Sequence, residues 1–179
     1  MSEEKYRLEN NEILVIYGNE YEKMTRELLE AADLAGRIGD RGKRIGIKPN
    51  LVSPVRAEEG ATTHPAVVEG LLQYLGENGF HNIAIMEGSW VGEKTEHAFL
   101  ECGYRGLAAR YGAELIDTQK EKAKAVDCAG MELHICQCAF DVDYMINVPV
   151  MKGHCQTRIT CALKNMKGLI PNGEKRRFH

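Results

Sequence analysis

Short apolar runs separated by stretches of helical periodicity recur along most of this chain, and that alternation restricts the folds open to it. "EILVIYG" (12–18) reads as a strand, and "YEKMTRELLEAADLAGRIG" as a helix ending in glycine. "KRIGIKPN" is a second strand, stopped by Pro49. In "PAVVEGLLQYLGENG" the residues Val67, Val68, Leu71, Leu72 and Leu75 share one helical face, with Thr63 as the expected N-cap. "HNIAIM" follows as a buried strand, "EKTEHAFLECG" and "YRGLAARYG" as helices, and "AELID" as a short strand. Further on, "MELHICQCAF" alternates with period two and "VDYMINVPV" is a continuous apolar run typical of a central strand, with a break expected near Asp141. Strands that alternate with helices pair in parallel through right-handed crossovers, and such a sheet is covered on both sides. The expected fold is therefore α/β, a three-layer, mostly parallel sheet with helices on both faces.

At 179 residues the chain suits one domain with a sizeable core, and no apolar run approaches the ~18 residues of a bilayer span. The start "MSEEKYRLENNE" lacks the basic and apolar segments of a secretory signal. Cytoplasmic residence, with the six cysteines reduced and no membrane partner, is the expectation. The net charge of −3 is unevenly spread: residues 152–179 hold seven Lys and Arg against Glu174, hence +6, leaving −9 for the rest. Such asymmetry points to an anionic partner, although "EKRR" taken alone reads as a solvated basic tail.

In open parallel sheets ligands bind beyond the carboxyl ends of the strands. Three strand ends carry chemistry: Lys48-Pro49-Asn50, Glu87-Gly88-Ser89, and Met151-Lys152-Gly153-His154. Parallel pairing brings them to one edge, joined by Thr63 and by the amides of the helix it is expected to cap. Lysines crowded in a partly closed site have lowered pKa values and act as bases, nucleophiles or anion clamps, which makes Lys48, Lys152 and Lys164 candidates. His154 is suited to proton transfer near neutral pH, and Glu87 either pairs with a lysine or acts as a base.

Laid out as a helix, Arg158–Lys167 puts Ile159, Ala162, Leu163 and Met166 on a core stripe and Thr157, Cys161 and Lys164 on the other side, flanked by Thr160 and Asn165. Gly168 ends it. Cys155 and Cys161, beside these lysines, are either reactive thiols or inert packing, with packing favoured. His134, Cys136 and Cys138 share one face of a strand, but same-face neighbours stand about 7 Å apart, an awkward reach for one tetrahedral ion. There is no CxxC, no Walker loop and no GxGxxG after the early strands, so a self-contained metal cluster and a nucleotide-fold cofactor site are unsupported.

The stretches "IKPNLVSP", "ATTHPAVVEGLLQYLGENG", "IAIMEGSWVGEKTEHAF", "GYRGLAARYGAELID", "DYMINVPVMKGH" and "ALKNMKGLIP" resemble, in that order, the domain-of-unknown-function family 362. The family's lysine, one residue, then histidine falls on Lys152 and His154, and its lysine-asparagine pair on Lys164 and Asn165. Relatives continue past the point corresponding to His179, so the resemblance implies that residues 1–179 are a single α/β domain forming the N-terminal part of a longer one. Many relatives carry a ferredoxin-like module with iron–sulfur clusters. The resemblance thus implies redox chemistry, with a separate iron–sulfur electron-transfer protein as partner.

Three functional expectations follow. In the first, an oxidoreductase-like domain holds an anionic small molecule or cofactor: Lys152 and Lys164 bind or polarise it, His154 moves protons, and Asn50, Thr63, Ser89 and Asn165 supply hydrogen bonds. The second is a non-catalytic module for phosphate or nucleic acid built on the basic C-terminal segment. Only Phe178 interleaves aromatically there, so base stacking is poorly supported. The third is a metal or iron–sulfur carrier using His134, Cys136, Cys138, Cys155 and Cys161.

Overall fold

The computed structural model describes residues 11–178. At its centre is a four-stranded parallel sheet of β1 (Ile45–Pro49), β2 (Ile83–Glu87), β3 (Glu114–Asp117) and β6 (Tyr144–Val148), in the spatial order β3-β2-β1-β6. The two inner strands, β1 and β2, are buried at every position, including the charged residues Lys48 and Glu87, whereas β6, whose continuous apolar run suggests a central strand, forms an edge of the described sheet and is half-buried. Successive side chains serve opposite faces. Ile45, Ile47, Ile83 and Ile85 enter the larger core with α2 (Leu34–Ile38), α3 (Pro65–Glu77), α4 (Thr95–Glu101) and α5 (Tyr104–Tyr111). Ala84 and Met86 face a smaller core with Cys136, Cys138 and Leu169.

Helical crossovers join β1 to β2 through α3, and β2 to β3 through α4 and α5, as the alternation implies. An antiparallel hairpin, β4 (Ala123–Cys128) with β5 (Met131–Cys136), then crosses the second face before the chain reaches β6 on the far side of β1. There it shares the covering with short helical turns around Met166 and Leu169. β4 carries no clear periodicity and is half exposed, so only its partner β5 was legible as a strand. The break expected near Asp141 lies between the turn at Gln137–Ala139 and β6.

Three local expectations are overturned. Residues 12–18 belong to no sheet; Ile13, Val15 and Tyr17 are 87%, 64% and 90% exposed. An alternating pattern shows that one face could be buried, but a strand forms only where a ladder partner is available. The helix after it is split: α1 (Tyr21–Ala31) stops, and Asp33, in the left-handed region at φ 47°, precedes α2. The N-cap of α3 is His64, whose Nδ1 accepts from the Ala66 amide at 3.1 Å, and not Thr63.

A fourth correction concerns Arg158–Lys167. It is not one helix: β7 (Lys152–His154) pairs antiparallel with β8 (Arg158–Thr160), and a single helical turn, α6 (Ala162–Asn165), follows. Ile159 and Leu163 are 57% and 93% exposed, so the expected core stripe does not exist. The hairpin is closed by His154 itself, whose Nδ1 accepts from the amides of Gln156 (3.1 Å) and Thr157 (3.2 Å). That imidazole does for the turn what an Asx side chain does elsewhere. A last turn, α7 (Asn172–Lys175), completes the structure.

Candidate functional site

Connections leave β1 over one face and reach β6 over the other, so the strand order reverses between these two strands. In open α/β sheets that reversal opens a crevice at the carboxyl ends. Here it is a cleft of about 550 Å³ between the segments that follow β1, β2 and β6. The three strand ends singled out in the sequence converge on it, with Asn50, Glu87, Ser89, Lys152 and His154 all on its wall. A wider, open depression between α1 and α3, about 1340 Å³, sets six carboxylates (Glu20, Glu22, Glu27, Glu30, Asp33 and Glu77) against Lys23 and Arg26, so its charge is opposite to that of the cleft.

Beneath the cleft lies a buried ion pair. Lys48 Nζ stands 2.6 Å from Glu87 Oε1, with both side chains almost wholly excluded from solvent. Nζ also donates to the Pro49 carbonyl at 2.7 Å and to Asn165 Oδ1 at 3.3 Å. The carboxylate accepts from the Leu51 amide (2.7 Å) and the Gly88 amide (2.7 Å). Burial draws the Lys48 ammonium below the usual lysine range, and Glu87 opposes that. Of the two roles open to Glu87, the geometry shows the pairing one.

Asn165 ties α6 to the sheet. Its Nδ2 donates to the carbonyls of Lys48 (3.0 Å) and Pro49 (3.2 Å) and to Asn147 Oδ1 (2.7 Å). Thr63 does similar work away from the cleft wall, accepting from the Asn50 amide at 2.8 Å and donating to the Val148 carbonyl at 2.7 Å. Ser89 is fully buried and donates to the Leu51 carbonyl at 2.7 Å. The helix amides expected beside Thr63 are not at the site: Ala66 lines the depression toward α1 instead.

Cations face the opening. Lys152 Nζ donates to Asn50 Oδ1 at 2.7 Å and to the Ala61 carbonyl, which aims it across the cleft mouth. Lys164 and Lys167 join it on the wall. All three are lowered from the ordinary lysine value by burial first; Lys164 adds repulsion at Lys152 and Lys167. His154 is lowered by partial desolvation, then by Lys164, Lys152 and Lys167. Because Nδ1 accepts two amides, the neutral ring carries its proton on Nε2, and that nitrogen is the one suited to proton transfer. Cys155 is exposed on the cleft wall, so packing does not account for it, and Cys161 is half-buried.

In the "EKRR" stretch Arg176 and Arg177 are exposed, as in a solvated tail, but Glu174 and Lys175 are not. Lys175 is 5% exposed and donates to the carbonyls of Gly88 (3.0 Å) and Ser89 (3.1 Å). Burial lowers it from the usual value to about 8, with Glu87 opposing and Lys48 assisting. α7 is held in place by Glu174, which accepts from the His134 amide at 3.0 Å and pairs with His134 Nδ1. His134 therefore orients a lysine and does not join Cys136 and Cys138. Those two thiols are buried in the smaller core, and desolvation pushes them up to about 11 and about 12. Among the described residues no three His, Cys, Asp or Glu side chains are grouped to hold a metal. Gly168 lets the chain close over the ion pair: a Cβ there would lie 2.5 Å from Glu87 Oε1 and 2.5 Å from Lys48 Cε.

Sequence reasoning missed Lys167, Lys175, Arg176, Trp90 and Asn147 as site residues. The excess of positive charge after Lys152 was the available signal for the first three; nothing local marks the other two.

A four-stranded parallel sheet with helices around it and a cationic cleft at its strand reversal defines an α/β protein. The model of the family described as "Domain of unknown function (DUF362)" matches residues 45–179, and the chain belongs to that family. It is also similar to the Thylakoid-associated protein sll1697 of Synechocystis, 27% identical over 157 residues, which are 86% of this chain and 47% of that protein. The chain thus spans about half the length of this curated relative. No solved structure matches significantly. Among the described residues no helix is long and apolar enough to cross a membrane.

Proposed function

We propose that the strand-end cleft binds an anionic small molecule or cofactor, as part of an oxidoreductase-like domain. The observation that carries the binding reading is the charge balance of the cleft. Lys152, Lys164, Lys167, Lys175 and Arg176 line it, whereas its carboxylate, Glu87, is already engaged by Lys48 and two amides. Unneutralised cations held by a folded scaffold in a partly desolvated crevice attract an anion strongly. In this reading Lys152 and Lys164 clamp the ligand, Asn50 and Ser89 frame it, and the Nε2–H of His154 hands a proton to it or takes one back.

The redox part rests on the iron–sulfur modules that many family relatives carry, and assigns electron delivery to a separate iron–sulfur electron-transfer protein. Six unpaired thiols suit a reducing cytoplasm, where we place this activity. Binding by phosphate-rich polymers is the competing reading. The clustering of lysines within one concave site, with Lys175 buried, favours a small ligand over an extended backbone.

Isothermal titration with inorganic phosphate and with pyrophosphate tests the proposal. The combined Lys152→Ala and Lys164→Ala variant is expected to lose at least tenfold in affinity. Unchanged affinity in that variant overturns the reading.

A further inference from the structure

The cleft has an apolar rim as well as a cationic wall. Val52 and Trp90, from the loops that follow β1 and β2, are joined by a hydrogen bond from the Trp90 amide to the Val52 carbonyl at 2.9 Å, and Val91 lies beside them on the wall. The lysines come from the other side of the sequence, in and after β7. Trp90 is the chain's single tryptophan and is 54% exposed. An exposed tryptophan normally covers something, and here its ring lies on the backbone of Gly92: a Cβ at that position would collide with three of the ring carbons. Glycine thus supports the indole, while the ring remains open to solvent along the cleft.

Size argues in the same direction. A cleft of about 550 Å³ falls in the range of sites that enclose whole small molecules. A lone phosphate or carboxylate, a few times the ~30 Å³ share of a water molecule, leaves most of it empty.

Resting on the anion-binding reading, we infer that the ligand is a planar aromatic or heteroaromatic molecule carrying a phosphate or carboxylate, its ring stacked on Trp90 and its anionic group among Lys152, Lys164 and Lys167. The aromatic face supplies selection between anions that the lysines alone treat alike. Base-like and benzenoid rings gain about tenfold in affinity from one such contact.

Phenyl phosphate and methyl phosphate, matched in charge and differing in the ring, separate the two contributions. The intact chain is expected to bind phenyl phosphate about tenfold more tightly, with a change in Trp90 emission that methyl phosphate does not cause. Trp90→Leu is expected to abolish the difference by bringing phenyl phosphate affinity down to that of methyl phosphate, and Trp90→Phe to restore most of it. Equal affinity for the two esters in the intact chain, or an equal loss of both in Trp90→Leu, overturns the stacking inference and leaves anion binding standing. Failure of the intact chain to bind either ester, or phosphate, overturns the anion reading and this inference with it.

Discussion

Lys48 and Glu87, on neighbouring parallel strands, form a buried ion pair with Nζ and Oε1 2.6 Å apart under the floor of the cleft. The pair is satisfied on both sides by backbone groups from the very loops that shape the site, so loss of one charge disturbs both stability and geometry. Glu87→Gln is expected to cost about 3–5 kcal/mol in urea unfolding, because it leaves a buried ammonium without its counterion. Combining it with Lys48→Met is expected to recover part of that loss. A double variant no more stable than Glu87→Gln alone would contradict the coupling.

Lys175 makes stability depend on alkaline pH. Its folded pKa of about 8 lies below the ordinary value of 10.5, so between those two values the unfolded chain binds more protons than the folded one. Stability therefore rises with pH across that window, by on the order of 3 kcal/mol from this group. Glu87, Asp117 and Cys136 oppose the shift and Lys48 assists it. Unfolding free energies at pH 7.5 and 10 should differ in this direction for the intact chain, and the difference should shrink in Lys175→Met. Over the same window anion affinity is expected to fall as the ammonium is lost.

The lowered pKa of His154 has partial desolvation as its first cause and the charges of Lys164, Lys152 and Lys167 as the others. Lys164→Met is expected to raise it toward 6.5, readable in the imidazole proton shifts of an NMR titration. The same titration should loosen the β7–β8 turn on the acid side, since a protonated Nδ1 no longer accepts the Gln156 and Thr157 amides.

Gly168 packs directly on the ion pair. Gly168→Ala inserts a methyl group where Glu87 Oε1 and Lys48 Cε already stand, and is expected to destabilise by about 1–3 kcal/mol and to weaken phosphate binding. Gly173, where an added Cβ meets no atom within 4 Å, is the control: alanine there should change neither.

Asn165→Leu removes the side chain that holds α6 to β1 and β6 through three donated bonds. It is expected to cost about 1–3 kcal/mol for the polar groups of Asn147 and Lys48 that lose their partner in Asn165, the Pro49 carbonyl keeping its bond from Lys48 Nζ. Because Lys164 is its neighbour, anion affinity should drop as well. Hydrogen exchange at the amides of Lys164 and Met166 would report the detachment.

The sequence by itself determined the parallel sheet and the edge where the site lies. Burial on two faces writes itself as short apolar stretches such as Ile45–Ile47 and Ile83–Met86, and parallel pairing forces Asn50, Glu87 and Lys152 to one end whatever else happens. Tertiary structure alone decided what those ends do. Periodicity says which face of a segment is apolar but not whether a partner will cover it, and so Ile13 and Leu163 stand exposed despite strand-like and helix-like patterns. The environment of a lysine is likewise set by residues far along the chain. Lys48 meets Glu87 across 39 positions and Asn165 across 117, and Lys175 is buried against the Gly88 and Ser89 carbonyls beside a Glu174 anchored to His134. Those are desolvation and packing effects between distant segments, and no local spacing encodes them.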